Sequence, residues 1–187
     1  MLHPPRLRAL TFATAALGVC LIGVTATGGA ANRVTGVTRP TFRVGHVVDG
    51  DTLDLTNGAR VRLVQIDTPE VYFHPECFGR QSSAVAKRLL PRGARVRLLP
   101  EPATDLTDRY GRLLRYVIRV RDGVDINIRL VAVGAAAPYF YAHRRGRYAG
   151  RLEALARRAR ARKLGLWGRC PGTPYDPYHS VETGRGR

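Results

Sequence analysis

The segment Phe42–Ile66, FRVGHVVDGDTLDLTNGARVRLVQI, decides the fold. Its apolar runs FRVGHVV and TLDL flank Asp49-Gly50-Asp51, a hairpin signature. Asn57-Gly58 is a second turn signal. ARVRLVQI then reads as a third strand, with Val61 and Leu63 alternating with polar neighbours and the apolar run continuing to Ile66. The first turn gathers Asp49, Asp51 and Asp54 in a chain of formal net charge +17. Turn geometry accounts for Gly50. The acids are either solvated by water or meant to face something cationic.

Downstream of this segment the pattern changes period. Val71–Gly79, with Pro, His and Gly, is a loop. Ser82, Val85, Ala86 and Leu89 recur at helical spacing, which predicts a helix over Arg80–Leu90, ended by Pro91-Arg92-Gly93. ARVRLL is a strand, PEPATDLTDRYG a loop and RLLRYVIRV another strand. Asp125 is placed to cap a helix over Ile126–Val133, with Gly134 as its stop. APYFY is a short extended piece, and Phe140 between Tyr139 and Tyr141 points to one core face. Tyr148, Leu152, Leu155, Ala156 and Ala159 mark a last amphipathic helix whose other face is rich in Arg. Three strands, a helix, two strands and two further helices define an α+β chain. They suit a five-stranded OB-fold β-barrel with three helices, a barrel that often binds oligonucleotides on one face.

The two ends read differently. Residues 1–30 have the order of a secretory signal peptide: basic MLHPPRLR, apolar ALTFATAALGVCLIGVTA, then small and polar TGGAAN. Cleavage after Ala26 or Ala30 fits the small-residue rule, and an uncleaved N-terminal anchor is the alternative. Residues 31–40 form a linker, 41–170 the domain, and 171–187 a flexible basic tail. This order predicts a secreted or cell-surface protein, expected to be a monomer, with membrane association only if the N-terminal segment is retained. Loss of the signal leaves Cys77 and Cys170, a candidate disulfide in an oxidising compartment, with two free thiols as the alternative. So few Cys and such scattered His argue against a zinc site.

The excess of 31 Lys and Arg over 14 Asp and Glu, with a pI near 11.2, speaks to partners rather than fold. Nucleic acid is the first candidate and an anionic membrane or wall the second. An Arg-rich composition from a GC-rich genome is the plain alternative.

Four stretches carry chemistry together: DGDT (49–52), VRLVQIDTPE (61–70), DRYGRLLRY (108–116) and LGLW (164–167). Phosphodiester hydrolysis needs cations aimed at phosphoryl oxygens and a positioned water. Asp51 and Asp67, at the ends of strands expected to be neighbours, are suited to a hard divalent ion, with the Thr68 carbonyl and waters completing its shell. Glu70 lies just beyond a rigid Thr-Pro, where a carboxylate can orient or deprotonate a water. Arg62 and Arg112 offer forks of N–H donors that match paired phosphate oxygens. Taken alone, Arg62 on an alternating strand would read as solvated.

In order and spacing these stretches resemble the staphylococcal nuclease family, from about Phe42 to Trp167. The resemblance implies Ca2+-dependent, sugar-nonspecific hydrolysis of DNA and RNA to 3′-phosphate products. It implies that Asp51, Asp67 and the Thr68 carbonyl bind Ca2+, with Asp49 in support. Arg62 and Arg112 would bind the scissile phosphate, and Glu70 would act as general base or water-orienting group. Arg109 and Tyr110 would contact a terminal phosphate, and Tyr139 and Tyr141 would line a base pocket. The loop VYFHPECFGRQ departs from the family pattern, and its Glu76 reads as solvated. The competing class is a noncatalytic nucleic-acid-binding OB module at the cell surface. Its mark would be loss of Asp51, Asp67, Glu70, Arg62 or Arg112, and none is lost.

Overall fold

In the first strand, β1 (Phe42–Val47), the buried positions Val44 and Val47 do not alternate. The pairing register slips between Val44 and His46, and the resulting bulge lets both valines face inward. Gly45 sits in that bulge, where an added Cβ would come within 3.1 Å of the Asp54 carbonyl oxygen.

The computed structural model describes residues 39–184. The expected signal peptide or anchor and nearly all of the linker lie outside the described residues. After β1 come β2 (Thr52–Leu55), β3 (Arg60–Leu63), β4 (Ile66–Asp67), α1 (Gly79–Leu89), β5 (Arg95–Pro100) and β6 (Leu113–Arg119). Then follow α2 (Ile126–Ala132), β7 (Ala137–Pro138), α3 (Ala149–Ala161) and the single turn α4 (Leu166–Arg169). Five strands close in the order β1-β2-β3-β6-β5, with β3 and β6 parallel and the other neighbours antiparallel. This is the expected five-stranded OB-fold barrel with three main helices. Among the described residues no helix is long and apolar enough to cross a membrane.

Inward-facing Val44, Leu53, Val61, Leu63, Val96 and Val117 fill the barrel and are at most 2% exposed. Ile126 and Leu130 of α2 and Leu152 of α3 join the same core. Burial of each such side chain stabilises the fold by about 1.5–3 kcal/mol before conformational entropy is counted. Asn127 pins α2 to the barrel: its Oδ1 accepts from Val117 N at 3.1 Å and its Nδ2 donates to Val64 O at 2.8 Å.

Two expectations are corrected. The single third strand over Ala59–Ile66 is divided, because Val64 and Gln65 form a turn and Gln65 adopts φ +64°. Left-handed backbone costs roughly 1–2 kcal/mol in a residue with a Cβ. Tertiary partners offset that cost: Gln65 Oε1 accepts from Gly146 N at 2.7 Å, its Nε2 donates to Arg144 O at 2.8 Å, and its carbonyl accepts from Tyr139 N at 3.0 Å. The flexible tail is the second correction. Pro171–Gly184 has no helix or strand, yet it packs against the domain. Val181 is 7% exposed beside Leu166 and Trp167, and the Tyr178 ring stacks on His143 at 4.6 Å. Apolar side chains spaced through a Pro/Gly segment supply the burial that its composition concealed. Cys77 and Cys170 are joined by a disulfide, which fixes the start of this segment to the loop before α1.

Candidate active site

The turn at Gln65 carries Asp67 back towards the β1–β2 hairpin, and Arg62 of β3 lies between them. Arg62 Nη2 is 2.6 Å from Asp67 Oδ1, and its Nε is 3.1 Å from Asp51 Oδ1. Its Nη1 donates to the carbonyls of Leu63 at 2.8 Å and Ile66 at 2.7 Å. Arg62 is therefore an enclosed hub rather than a solvated strand residue. By donor count one Nη2 hydrogen remains for a substrate oxygen. Burial opposes its charge, but Asp51, Asp67, Asp49 and Glu70 outweigh that and hold its pKa above the usual value.

Asp51 is fixed from the other side. Its Oδ2 accepts from Thr68 N and from Thr68 Oγ1, both at 3.0 Å. This contact explains Gly50: a Cβ there would come within 2.5 Å of Thr68 Oγ1. Asp49 Oδ1 accepts from Asp51 N at 3.0 Å and Thr52 N at 2.7 Å, so Asp49 builds the turn that presents Asp51. Burial pushes the Asp51 carboxyl up to about 7, with Arg62 opposing and Asp49 and Asp67 reinforcing. Asp54 stands apart, paired with Arg60 at 2.6 Å on the outer barrel.

Glu70 is exposed at the edge of the site. Partial burial, then Asp67, Asp49 and Glu76, raise its pKa against the pull of Arg62. Its backbone is gripped from the following loop: Glu70 N donates to Glu76 Oε2 at 2.9 Å, and Glu76 N donates to Glu70 O at 2.9 Å. Gly79 packs directly on the Glu70 carbonyl, where any Cβ would collide. Glu76, read from the sequence as solvated, is thus an anchor of the Glu70 loop.

Arg112 faces the same space from the start of β6. Its Nε donates to Asp108 Oδ2 at 2.6 Å, and neither Nη group has a hydrogen-bond partner among the described residues. Tyr110, 67% exposed, lies under both neighbouring guanidinium groups, with Arg109 at 4.8 Å and Arg112 at 5.3 Å from its ring centre. Across the opening, Tyr139 and Tyr141 flank buried Phe140, their ring centres 6.3 Å apart. Every sequence-predicted catalytic, metal-binding and nucleotide-contact residue lines one pocket of about 670 Å³.

Among the described residues no three His, Cys, Asp or Glu side chains form a metal cluster by themselves. A cation here would take Asp51 and Asp67 together with backbone oxygen and water. The donors present fit such a group: they are hard oxygens, and Asp49, Asp51, Asp67 and Glu70 outnumber the one enclosed cation, Arg62.

Three residues of this site escaped the sequence reading. Gln65 and Glu76 carried no local signal, because their partners are set by tertiary contacts. Asp108 was visible, standing four residues before Arg112 within DRYGR, the spacing that its side chain bridges.

A barrel of this topology, with guanidinium forks and carboxylates lining one pocket, is an OB-fold whose pocket is equipped to meet an anionic, phosphate-bearing ligand. The family model of the staphylococcal nuclease homologue matches residues 60–169. Similar curated proteins include one from Escherichia coli O157:H7 and one from Escherichia coli, each called an uncharacterized endonuclease. Each is 33% identical over 135 residues, covering 71% of this chain and 80% of the relative. The chain belongs to the staphylococcal nuclease family, and nucleic acid is the substrate class that its nuclease domain implies.

Proposed function

We propose that the protein is an exported, Ca2+-dependent nuclease that acts as a monomer. It hydrolyses phosphodiester bonds of DNA and RNA without sugar preference and leaves 3′-phosphate products. The observation that carries this reading is Arg62, held between Asp51 and Asp67 in the pocket that Glu70 and Arg112 also line. Asp51, Asp67 and the Thr68 carbonyl are the residues that would hold Ca2+, whose chemistry is to neutralise charge on phosphoryl oxygens.

Glu70 orients a water or takes its proton as the water oxygen attacks phosphorus in line. Its raised pKa favours proton acceptance. The free Nη2 hydrogen of Arg62 and the Nη groups of Arg112 bind the non-bridging oxygens and stabilise the charge that develops on them. The P–O5′ bond breaks, the 5′-oxygen takes a proton from solvent water, and Glu70 returns its proton to solvent. Arg109 and Tyr110 hold a terminal phosphate, and Tyr139 with Tyr141 receives a base by stacking.

The test is hydrolysis of DNA and RNA with Ca2+, with chelator, and with Glu70→Gln. Chelation is expected to abolish activity, and the substitution to lower kcat by about 10²–10⁴-fold. Activity unchanged by both treatments would sink the mechanism. A mature N-terminus at Thr27 or Ala31 is expected from the exported protein, whereas an intact Met1 terminus would contradict cleavage.

A further inference from the structure

The end of the described chain is joined to the pocket at successive points. Pro177 O accepts from Phe140 N at 2.7 Å, between the two pocket tyrosines. Val181 N donates to Asp67 Oδ2 at 2.9 Å, and Ser180 lines the pocket. Thr183 Oγ1 donates to Cys77 O at 2.7 Å, and Cys77 N donates to Gly184 O at 2.9 Å. Cys77, held in this way by Thr183, directly follows Glu76, whose Oε2 accepts from the Glu70 backbone N at 2.9 Å. Val181 and Thr183 are each 7% exposed, so these contacts are sheltered from water. The Cys77–Cys170 disulfide ties the chain ahead of Asp176 to the loop on which the segment ends.

We propose that Asp176–Gly184 is a strap that positions the carboxylates of the catalytic pocket. Val181 N–H sets Asp67, and Thr183 with Gly184, by gripping Cys77 beside Glu76, sets the loop whose Glu76 holds Glu70. This inference rests on the nuclease reading above. Its physical basis is two-sided restraint. Arg62 holds Asp67 Oδ1 while Val181 holds Oδ2, so the carboxylate plane cannot turn about its last torsion without losing one of the two bonds. Pro177, with its fixed φ, limits the freedom of the strap before it reaches the pocket. The strap residues act through Asp67 and Glu70 and are positioning residues.

The test uses the full chain with Val181→Pro, which deletes the N–H, and Val181→Ala, which keeps it. A second pair is Glu76→Ala against Glu76→Gln, which retains an acceptor oxygen. For Val181→Pro and Glu76→Ala, kcat is expected to fall about 10–100-fold while KM and metal-free oligonucleotide binding change less than about threefold. Val181→Ala and Glu76→Gln should stay near wild type. Unchanged kcat in folded Val181→Pro and Glu76→Ala overturns the proposal. If Val181→Pro shows no melting transition, the Glu76 pair decides. Amide exchange at Val181 in the wild-type chain separates this proposal from the nuclease reading. A protected amide in an inactive protein would count against the nuclease reading alone and support the strap. An amide exchanging as in a free peptide overturns the strap at any activity.

Discussion

Arg62 and Asp67 are joined at 2.6 Å, with side chains only 13% and 14% exposed, and Asp51 closes on the same guanidinium. Breaking such an enclosed group leaves carboxylates facing one another without a counter-charge. Arg62→Ala is expected to destabilise the protein by about 3–5 kcal/mol, read from urea unfolding at neutral pH. The loss should shrink in acid, where protonation of Asp51 and Asp67 removes their repulsion. Arg62→Lys keeps one charge but not the fork, and kcat should fall by about 10²–10³-fold.

Arg112 is aimed by Asp108, which accepts from its Nε at 2.6 Å and from its backbone N at 3.0 Å. Asp108→Ala is expected to lower kcat/KM by roughly 10–100-fold through misplacement of the guanidinium. Because the pair is partly open to solvent, stability should change by no more than about 1 kcal/mol. Steady-state kinetics and thermal melting of the same preparation check both halves.

The Cys77–Cys170 bond spans 93 residues of sequence. Replacing both cysteines by serine should cost about 2–5 kcal/mol, measured as a lower urea midpoint. Nonreducing peptide mapping of the exported protein is expected to give one cross-linked pair. Two alkylatable thiols would contradict it.

Asp125 caps α2, its Oδ1 accepting from Ile128 N at 3.1 Å, while Oδ2 is buried with no hydrogen-bond partner among the described residues. Burial, against the pull of the Ile128 and Asn127 amides and Arg151, raises its pKa from 3.8 to about 6. The folded state thus binds this proton more tightly than the unfolded state. The stabilising contribution is full below the unfolded value and is lost as pH rises through about 6. Asp125→Asn keeps the cap without the charge. Its melting temperature should exceed wild type at pH 8, with the gap closing only as pH falls below the unfolded value of 3.8. Asp125→Ala should lose about 1 kcal/mol in acid, where only the cap is removed, and less at pH 8, where the buried charge is removed with it.

Most of the barrel was legible because its signals are local. Asp49-Gly50 and Asn57-Gly58 mark the hairpins, and alternation marks the strands. Helical spacing predicts Arg80–Leu90 where α1 runs Gly79–Leu89. The division of the third strand was not legible, since it depends on Gln65 reaching Arg144 and Gly146, 79 and 81 residues away. Glu76 looked solvated because nothing in the loop sequence announces that the chain folds its carboxylate back onto the Glu70 amide.

The sequence by itself determined which residue types meet phosphate chemistry, and through turn chemistry and hydrophobic period it determined the barrel that carries them. Tertiary structure alone decided how they are held. It enclosed Arg62 between Asp51 and Asp67, set Thr68 against Gly50, and brought Val181 onto Asp67 from 114 residues away. The reason is physical. Turns and periods are written in neighbouring residues. A buried charge is satisfied by whichever donors the closed chain brings within about 3 Å, and sequence order does not specify them.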